Sequence, residues 1–409
     1  KLIPLENQLD EVEVVSTGYQ KIPKERATGS FEVIGKQQLN ISKSTNIINR
    51  LEGLSPALRF EKRVEGLSPL QQLSVRTTST YYGYYNPLVI LDNFPYEGDI
   101  ANINPNDIES VTILKDAAAA SIWGTRAGNG VIVLTSKRGT KDGKLKLSVQ
   151  VANQLGEKPD IYKKPYMSSS SFMEMEELLF KNNFFDWQIT SLDRSITPMV
   201  VLMDKLRKGE IDQLTYDRQK AEWSRQDVRT DYLKYIYRNS YNQQYATNIT
   251  GGGANYDFQA SVGYDKNRNN IQNGGLERVT ARLVTNIRPV KQLEIGMQLM
   301  YGNSAMKGMG TDSQLSFGSL YSGAGRSFYP YLRLVDDDGK AIDLETVTIR
   351  KSYIDTLAGG RLMPAHYNIF NEIASSENKN STEDVTLNLS ANWKLTPFIS
   401  ANVAYQFQK

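Results

Sequence analysis

The sequence predicts an α+β domain followed by the N-terminal antiparallel strands of a large transmembrane β-barrel, incomplete within this chain. Three observations carry that expectation. Helix and strand patterning is mixed up to about residue 140, strict period-two alternation follows, and the connections alternate between short and long. The 409 residues carry a formal charge of +3, too small an excess to suggest nucleic-acid binding. No run approaches the ~20 consecutive apolar residues of a membrane-spanning helix. Barrel strands alternate and look mild on any hydropathy scale, so they remain compatible with this composition.

Cysteine is absent, which excludes a disulfide framework, a thiolate metal site and a cysteine nucleophile. His366 is the sole histidine, so no site needing two imidazoles is possible. No Ser-His arrangement or convincing carboxylate pair points to an enzyme, and no cofactor is implied. A Gly-rich phosphate loop with Lys-Ser/Thr is lacking as well. The 23 tyrosines, 13 phenylalanines and 4 tryptophans suit an envelope β-protein with aromatic girdles. The opening Lys1-Leu2-Ile3-Pro4 has no basic-apolar leader, which implies a removed signal peptide or missing upstream sequence.

In the N-terminal part, Asp10–Tyr19 reads as a strand without an obvious home: three valines among acids, isolated by turn-prone residues. Addition to a sheet edge of another protein and an ordinary edge strand both remain open. Phe31-Glu32-Val33-Ile34 and Pro87-Leu88-Val89-Ile90-Leu91 are β-like. Ser44–Leu51 is a helical candidate with Ser44 or Thr45 as N-cap and Gly53 after its end.

Beyond Gly139 the pattern changes. Lys144–Val151 alternates strictly, and comparable segments follow at about 242–250, 256–267, 276–288, 293–303, 382–395 and 398–408. Gly251–Asn255, Pro289–Gln292 and Thr396-Pro397 are short joins. The joins at about 156–241, 268–275 and 304–381 are longer. Short turns alternating with long loops are the rule of transmembrane barrels, whereas compact soluble domains seldom hold two structureless loops of roughly 80 residues. A barrel wide enough for the preceding domain needs ~22 strands. About seven are visible, and an open edge in lipid leaves backbone groups unpaired. A fragment of a longer chain is therefore expected.

Several runs then resemble one family. Asp10-Glu11-Val12-Glu13-Val14-Val15-Ser16-Thr17-Gly18-Tyr19 resembles the TonB box of SusC-like (SusC/RagA-like) TonB-dependent outer-membrane transporters. Asn86-Pro87-Leu88-Val89-Ile90-Leu91-Asp92-Asn93-Phe94-Pro95-Tyr96 resembles their Pro-Leu, apolar strand, Asp-Gly signature. Ile103–Ala120 and Trp123–Gly139 match the plug pattern almost position by position, with Leu114-Lys115-Asp116-Ala117 characteristic of the SusC-like branch. The match covers about residues 10–140. Three positions depart from it. Asn93 stands where the family has Gly, so a left-handed Asn is expected there. Leu73–Thr78 lacks the Gly after its apolar-Arg pair, and Glu13 interrupts the valine run.

The resemblance implies an N-terminal extended segment over 1–22, a plug domain over 23–140, and about seven barrel strands over 141–409. Extracellular loops fall at about 156–241 and 304–381. Glu11, Val12, Glu13, Val14 and Val15 would bind TonB. Arg76, Asp92, Lys115, Asp116, Gly124, Arg126 and Gly130 form the plug signature with a gating role. Asp116 is expected to cap free amides, and Asp116 and Arg126 to serve plug packing or a plug–barrel ion pair. Tyr81, Tyr82, Tyr84 and Tyr85 are substrate-contact candidates or a loop packed on the barrel wall. Asp92, Glu97, Asp99 and Asp107 are solvated or capping acids, or oxygen ligands of a calcium ion.

The implied function is TonB-dependent import of a glycan or peptide oligomer across the outer membrane. The plug would sit in the lumen, with the N-terminus periplasmic. Expected partners are TonB, a SusD-like surface lipoprotein, the substrate and outer-membrane lipid, with no nucleic acid. The alternative is a surface receptor or signal transducer of the same architecture with little transport.

Overall fold

The computed structural model describes residues 14–16, 21–23, 30–60, 73–75, 86–115, 121–163, 165–191, 194–308, 316–317, 327–344, 350, 353, 356, 359, 368–375 and 379–409. At the N-terminus, β1 (Val14–Ser16) pairs antiparallel with β2 (Lys21–Pro23), Val15 opposite Ile22.

The first domain is built on a five-stranded sheet. Its members are β3 (Phe31–Gly35), β6 (Leu88–Leu91), β7 (Phe94–Pro95), β8 (Ile108–Leu114) and β9 (Val131–Ser136), in the order β3-β8-β9-β6-β7. β4 (Leu58–Phe60) and β5 (Leu73–Val75) form a separate pair. Only β6 and β9 run parallel, and the rest of the sheet is antiparallel. Val131–Leu134 is buried on both faces, which is why it reads as an unbroken apolar run. Ile132 and Leu134 join Ile34, Ile47, Ile48, Leu51, Val111 and Ile113 on one side. Val131 and Val133 join Leu88, Ile90 and Leu114 on the other.

The helical candidate near residue 44 is shorter than expected, Ile47–Arg50, and its N-cap is Asn46. The Asn46 carboxamide oxygen accepts from the Ile48 N–H at 2.8 Å. Ser44 instead accepts from the Asn46 N–H, the local competition that hydroxyl side chains offer the backbone just before a helix.

The second part is a meander of seven antiparallel strands: β10 (Lys146–Gly156), β11 (Ser240–Gly252), β12 (Tyr256–Arg268), β13 (Gly275–Val290), β14 (Leu293–Lys307), β17 (Lys379–Lys394) and β18 (Ser400–Gln408). β15 (Ser316–Phe317) and β16 (Ser327–Phe328) are a minor parallel pair outside it. β13 and β17 hold 16 residues each, roughly 50 Å at the usual strand rise, longer than a ~30 Å hydrocarbon core. Strands of that length can cross such a core even when tilted as barrel strands are.

The two faces of this sheet are inverted relative to a soluble domain. Gln244, Asp257, Gln259, Asp265, Arg278, Arg282 and Asn388 are buried, while Leu147, Val149, Val262, Val279, Leu299, Leu389 and Val403 are exposed. A polar interior and an apolar exterior satisfy lipid outside and a hydrated lumen within. Exposed Tyr256, Trp393 and Phe398 lie at the short-turn end. Tyr245 and Tyr264 stack at 6.3 Å farther along the strands.

The long connections fold on each other. Helices Ser169–Lys181, Pro198–Arg207 and Gln213–Trp223 pack with Tyr331 from the next long connection. Val228, Tyr232 and Ile236 pack with Leu334, Leu344 and Ile369. These segments show no β alternation because they are helical, and the apolar stripe of each is too short to stand out unaided.

Candidate functional site: the interface of plug and wall

The β6–β7 hairpin closes on Asp92 and Asn93, with φ of 48° and 77°. Two left-handed residues make the turn that suits a two-residue hairpin, and Asp and Asn tolerate that region better than other side chains. The left-handed Asn93 expected from its replacement of Gly is what the chain adopts.

The turn also aims the Asp92 carboxylate at the wall. It accepts from the Ser136 N–H at 2.9 Å and from the Ser136 hydroxyl. From the wall it accepts from Gln298 Nε2 at 3.1 Å on β14 and from an Arg282 guanidinium N–H at 3.2 Å on β13. The Arg282 and Asp92 side chains are 3% and 5% exposed. Arg282 further donates to the Lys137 carbonyl at 3.1 Å and to the Gln259 and Ser136 side chains. A buried pair held by this many hydrogen bonds is costly to break from one side.

A second set of contacts comes from Asn102-Ile103-Asn104-Pro105-Asn106. Ile103 enters the domain core while the three asparagines face outward. Asn102 donates to Asp384 of β17, and Asn104 to Thr280 Oγ1 of β13 at 3.1 Å. Asn106 Oδ1 accepts from Arg50 at 3.0 Å, and the same Arg50 nitrogen reaches Gln244 Oε1 of β11 at 3.3 Å. Gly302 leaves room for this approach, since a Cβ there meets the Asn102 Cβ at 2.8 Å.

Farther along β13, Arg278 pairs with Asp265 at 2.6 Å, both nearly fully buried. Arg278 also donates to the Ala101 and Ile103 carbonyls. Burial pushes the Arg50 guanidinium down to about 10, partly offset by Asp265. Burial pushes the Asp107 carboxyl up against the pull of Arg282 and Lys137. The interface is a neutralised polar seam rather than an apolar one, which favours separation into water over separation of two greasy faces.

The other expected residues distribute differently. Lys115 stays within the domain, 2.5 Å from Glu32. Arg126 pairs with Glu97 at 2.9 Å, but both side chains are more than half exposed, so the pair contributes little. Gly124 has φ 61° and ψ −147°, a conformation reserved for glycine. Gly130 has φ 91°, and a Cβ there meets the Val75 Cβ at 2.5 Å. Asp99 caps the turn at Ala101. Arg76, Asp116, Tyr81, Tyr82, Tyr84 and Tyr85 lie outside the described residues, as do Glu11, Val12, Glu13 and His366. Among the described residues no His, Cys, Asp and Glu cluster suits a metal, and no helix is long and apolar enough to cross a membrane.

Sequence reasoning missed Arg50, Arg278, Arg282 and the asparagine ladder. A signal was present for two of them: Arg278, Thr280 and Arg282 occupy every second position of a strand whose intervening residues are apolar or small. Cations repeated on the inward face of a barrel strand need partners in the lumen.

In the helical region, Glu176 is fully buried. Its carboxylate accepts from the Thr197 hydroxyl and from Tyr331 Oη at 2.9 Å, joining the two long connections. Burial pushes Glu176 up to about 7. Ionisation therefore opposes this packing: its contribution is fully present below the ordinary glutamate range and is lost as pH rises through about 7. The helical region is expected to be about 3 kcal/mol less protected above that pH than at pH 4. Hydrogen exchange of helix Ser169–Lys181 reads it, and Glu176→Gln flattens the profile. An unchanged profile in that variant places the dependence elsewhere.

Residues 23–131 match the family model described as the TonB-dependent Receptor Plug Domain. The chain is 26% identical over 281 residues to the TonB-dependent receptor SusC of Bacteroides thetaiotaomicron, covering 67% of this chain and 24% of that protein. It is 26% identical over 334 residues to the TonB-dependent receptor P39 of Formosa agariphila, covering 82% and 28%. The RagAB peptide importer in its open-open state superposes with a TM-score of 0.66 at 20% identity, covering 97% of this chain and 42% of that one.

The chain carries the plug domain of a TonB-dependent receptor and is similar to the SusC/RagA-like receptors. It is an outer-membrane protein, and its first domain is the receptor's plug. It spans 24% and 28% of the length of those two curated relatives. The seven strands of the receptor form an open meander in this chain, with β10 and β18 at its edges. The long connections, including the helical region joined by Glu176, lie at one end of the strands, and the short turns at the other.

Proposed function

We propose that this chain is the gate and energy-coupling portion of an active importer that brings a glycan or peptide oligomer across the outer membrane. One observation carries the reading: the plug is held to the wall by a hydrated-type polar seam centred on Asp92–Arg282, a junction suited to opening and resealing. The seam joins the inner face of the wall to a plug whose apolar core is its own apart from Met300 of β14.

The handle is the N-terminal box. Val14 and Val15 lie in β1, which is paired on one side by β2 within a two-stranded sheet. Among the described residues its other edge is unpaired, which suits strand addition by TonB, where main-chain hydrogen bonds supply affinity. Pulling there transmits force to the plug, and the seam yields. Energy comes from the partner. A SusD-like lipoprotein would sit over the extracellular helical region as a lid, and Tyr81, Tyr82, Tyr84 and Tyr85 would meet the cargo. Arg76, Lys115, Asp116, Gly124, Arg126 and Gly130 would keep the plug in the shape that the gate requires.

Deleting Glu11–Val15 from the full-length receptor is expected to abolish growth on the transported nutrient while surface display and substrate binding stay intact. Unchanged uptake would sink the box assignment, and a parental receptor that takes up no such oligomer would sink the import reading.

A further inference from the structure

Beneath the Asp92–Pro95 hairpin lies a cavity of about 700 Å³ between plug and wall. Its plug side is the hairpin and Trp123, and its wall side is the inner face of β13, β14, β17 and β18. Val284, Asn286, Glu294 and Gly296 are lining positions close to the short β13–β14 turn, which places the cavity at the short-turn end, the periplasmic one on the import reading, away from the helical region.

The chemistry of the wall is consistent. Asn286, Gln298, Asn388, Ser390, Asn392 and Asn402 line it, three of them at successive inward positions of β17. Each carboxamide offers an acceptor and two donors without charge. Asn388 is 4% exposed and Asn286 8%, yet Asn388 Oδ1 and Arg282 Nε have no hydrogen-bond partner among the described residues. Buried polar atoms of this kind are normally satisfied by water or a ligand. Two acids, Asp92 and Glu294, and two bases, Arg138 and Arg282, line it, and Asp92 pairs with Arg282 while Glu294 meets Arg288, just outside the lining, at 2.8 Å. The cavity is thus a hydrogen-bonding surface with a nearly neutral field, and its lid is the hairpin that the Asp92 latch holds.

We infer that this carboxamide-lined cavity is the inner subsite through which an uncharged oligomer rich in hydroxyl or amide groups leaves for the periplasm. The inference rests on the import reading above and adds a location and a ligand chemistry to it. Release of Asp92 from Arg282 lifts the hairpin, joins the cavity to the space above, and exposes the carboxamides to cargo that competes for their hydrogen bonds. A strongly charged oligomer finds no net counter-charge in this balanced lining, Arg138 being one cation among two of each sign, and loses hydration with little recompense.

The absence of cysteine from this chain allows a direct test in the full-length receptor, with any cysteine elsewhere removed. Single Ser390→Cys, Asn402→Cys and Asn248→Cys variants, the last on β11, are exposed from outside to maleimides carried on maltoheptaose, hexaglycine or hexaglutamate. Energised cells are compared with protonophore-treated cells. Labelling of Ser390→Cys and Asn402→Cys is expected to rise roughly tenfold on energisation with a neutral carrier, and less with hexaglutamate. Preference for maltoheptaose assigns a glycan, and for hexaglycine a peptide. Energised labelling confined to Asn248→Cys, or fastest with hexaglutamate, overturns the inference and leaves import standing. Labelling insensitive to energisation at all three positions overturns both.

Discussion

Replacing Asp92 by alanine is expected to unseat the plug hairpin. The substitution strands Arg282, 3% exposed, without its counter-charge, and removes the acceptor shared by Ser136 and Gln298. Breaking a buried pair from one side costs about 3–5 kcal/mol. The receptor should still insert, because the wall strands do not depend on the hairpin for pairing. The plug, however, should become susceptible to protease, and cells should admit large antibiotics. Asp92→Asn keeps a residue that tolerates the left-handed turn and should show a milder form of both effects. Pairing Asp92→Ala with Arg282→Met removes both charges and should restore much of the protection, since apolar replacement of a whole buried pair is often neutral. Parental protease resistance in Asp92→Ala would mean that the latch holds nothing.

Gly130→Ala is expected to damage the plug from within. The position combines a φ of 91° with a Cβ site 2.5 Å from the Val75 Cβ, and Val75 is buried in the plug core. The left-handed backbone costs roughly 1–2 kcal/mol and overpacking a further ~1–3 kcal/mol. Gly53→Ala supplies the comparison, because Gly53 has φ 75° with nothing within 4 Å of an added Cβ. It bears the backbone cost alone. Plug protease protection should fall distinctly further in Gly130→Ala than in Gly53→Ala. Equal loss would show that Val75 yields and that only the dihedral matters.

These two residues also show how far the sequence could be read. Both were visible as members of a plug signature, and the left-handed turn at Asn93 followed from its standing in place of glycine. What Asp92 holds was not visible. Its partner Arg282 lies 190 residues away, and no local pattern links a hairpin turn to one inward position of a distant strand. Arg50 is a similar case, one position inside the helical candidate Ser44–Leu51 with no sign of a partner until Gln244 is brought against it. The N-cap at Asn46 rather than at Ser44 or Thr45 is a smaller miss of the same kind, in which neighbouring polar side chains compete and the surrounding contacts choose. The helices in the long connections escaped because each acquires its apolar environment from another connection, Tyr331 packing under helix Ser169–Lys181 for example.

By itself the sequence determined the α+β plug, the meander of wall strands and the alternation of short and long joins. Each of these is written in neighbours a few residues apart, through turn chemistry and period-two patterning. Only the tertiary structure decided which polar residues form the seam, where the carboxamide cavity lies and how the long connections are tied. Those features depend on partners brought together across the lumen, and the free energy of a buried charge or carboxamide is set by what stands opposite it.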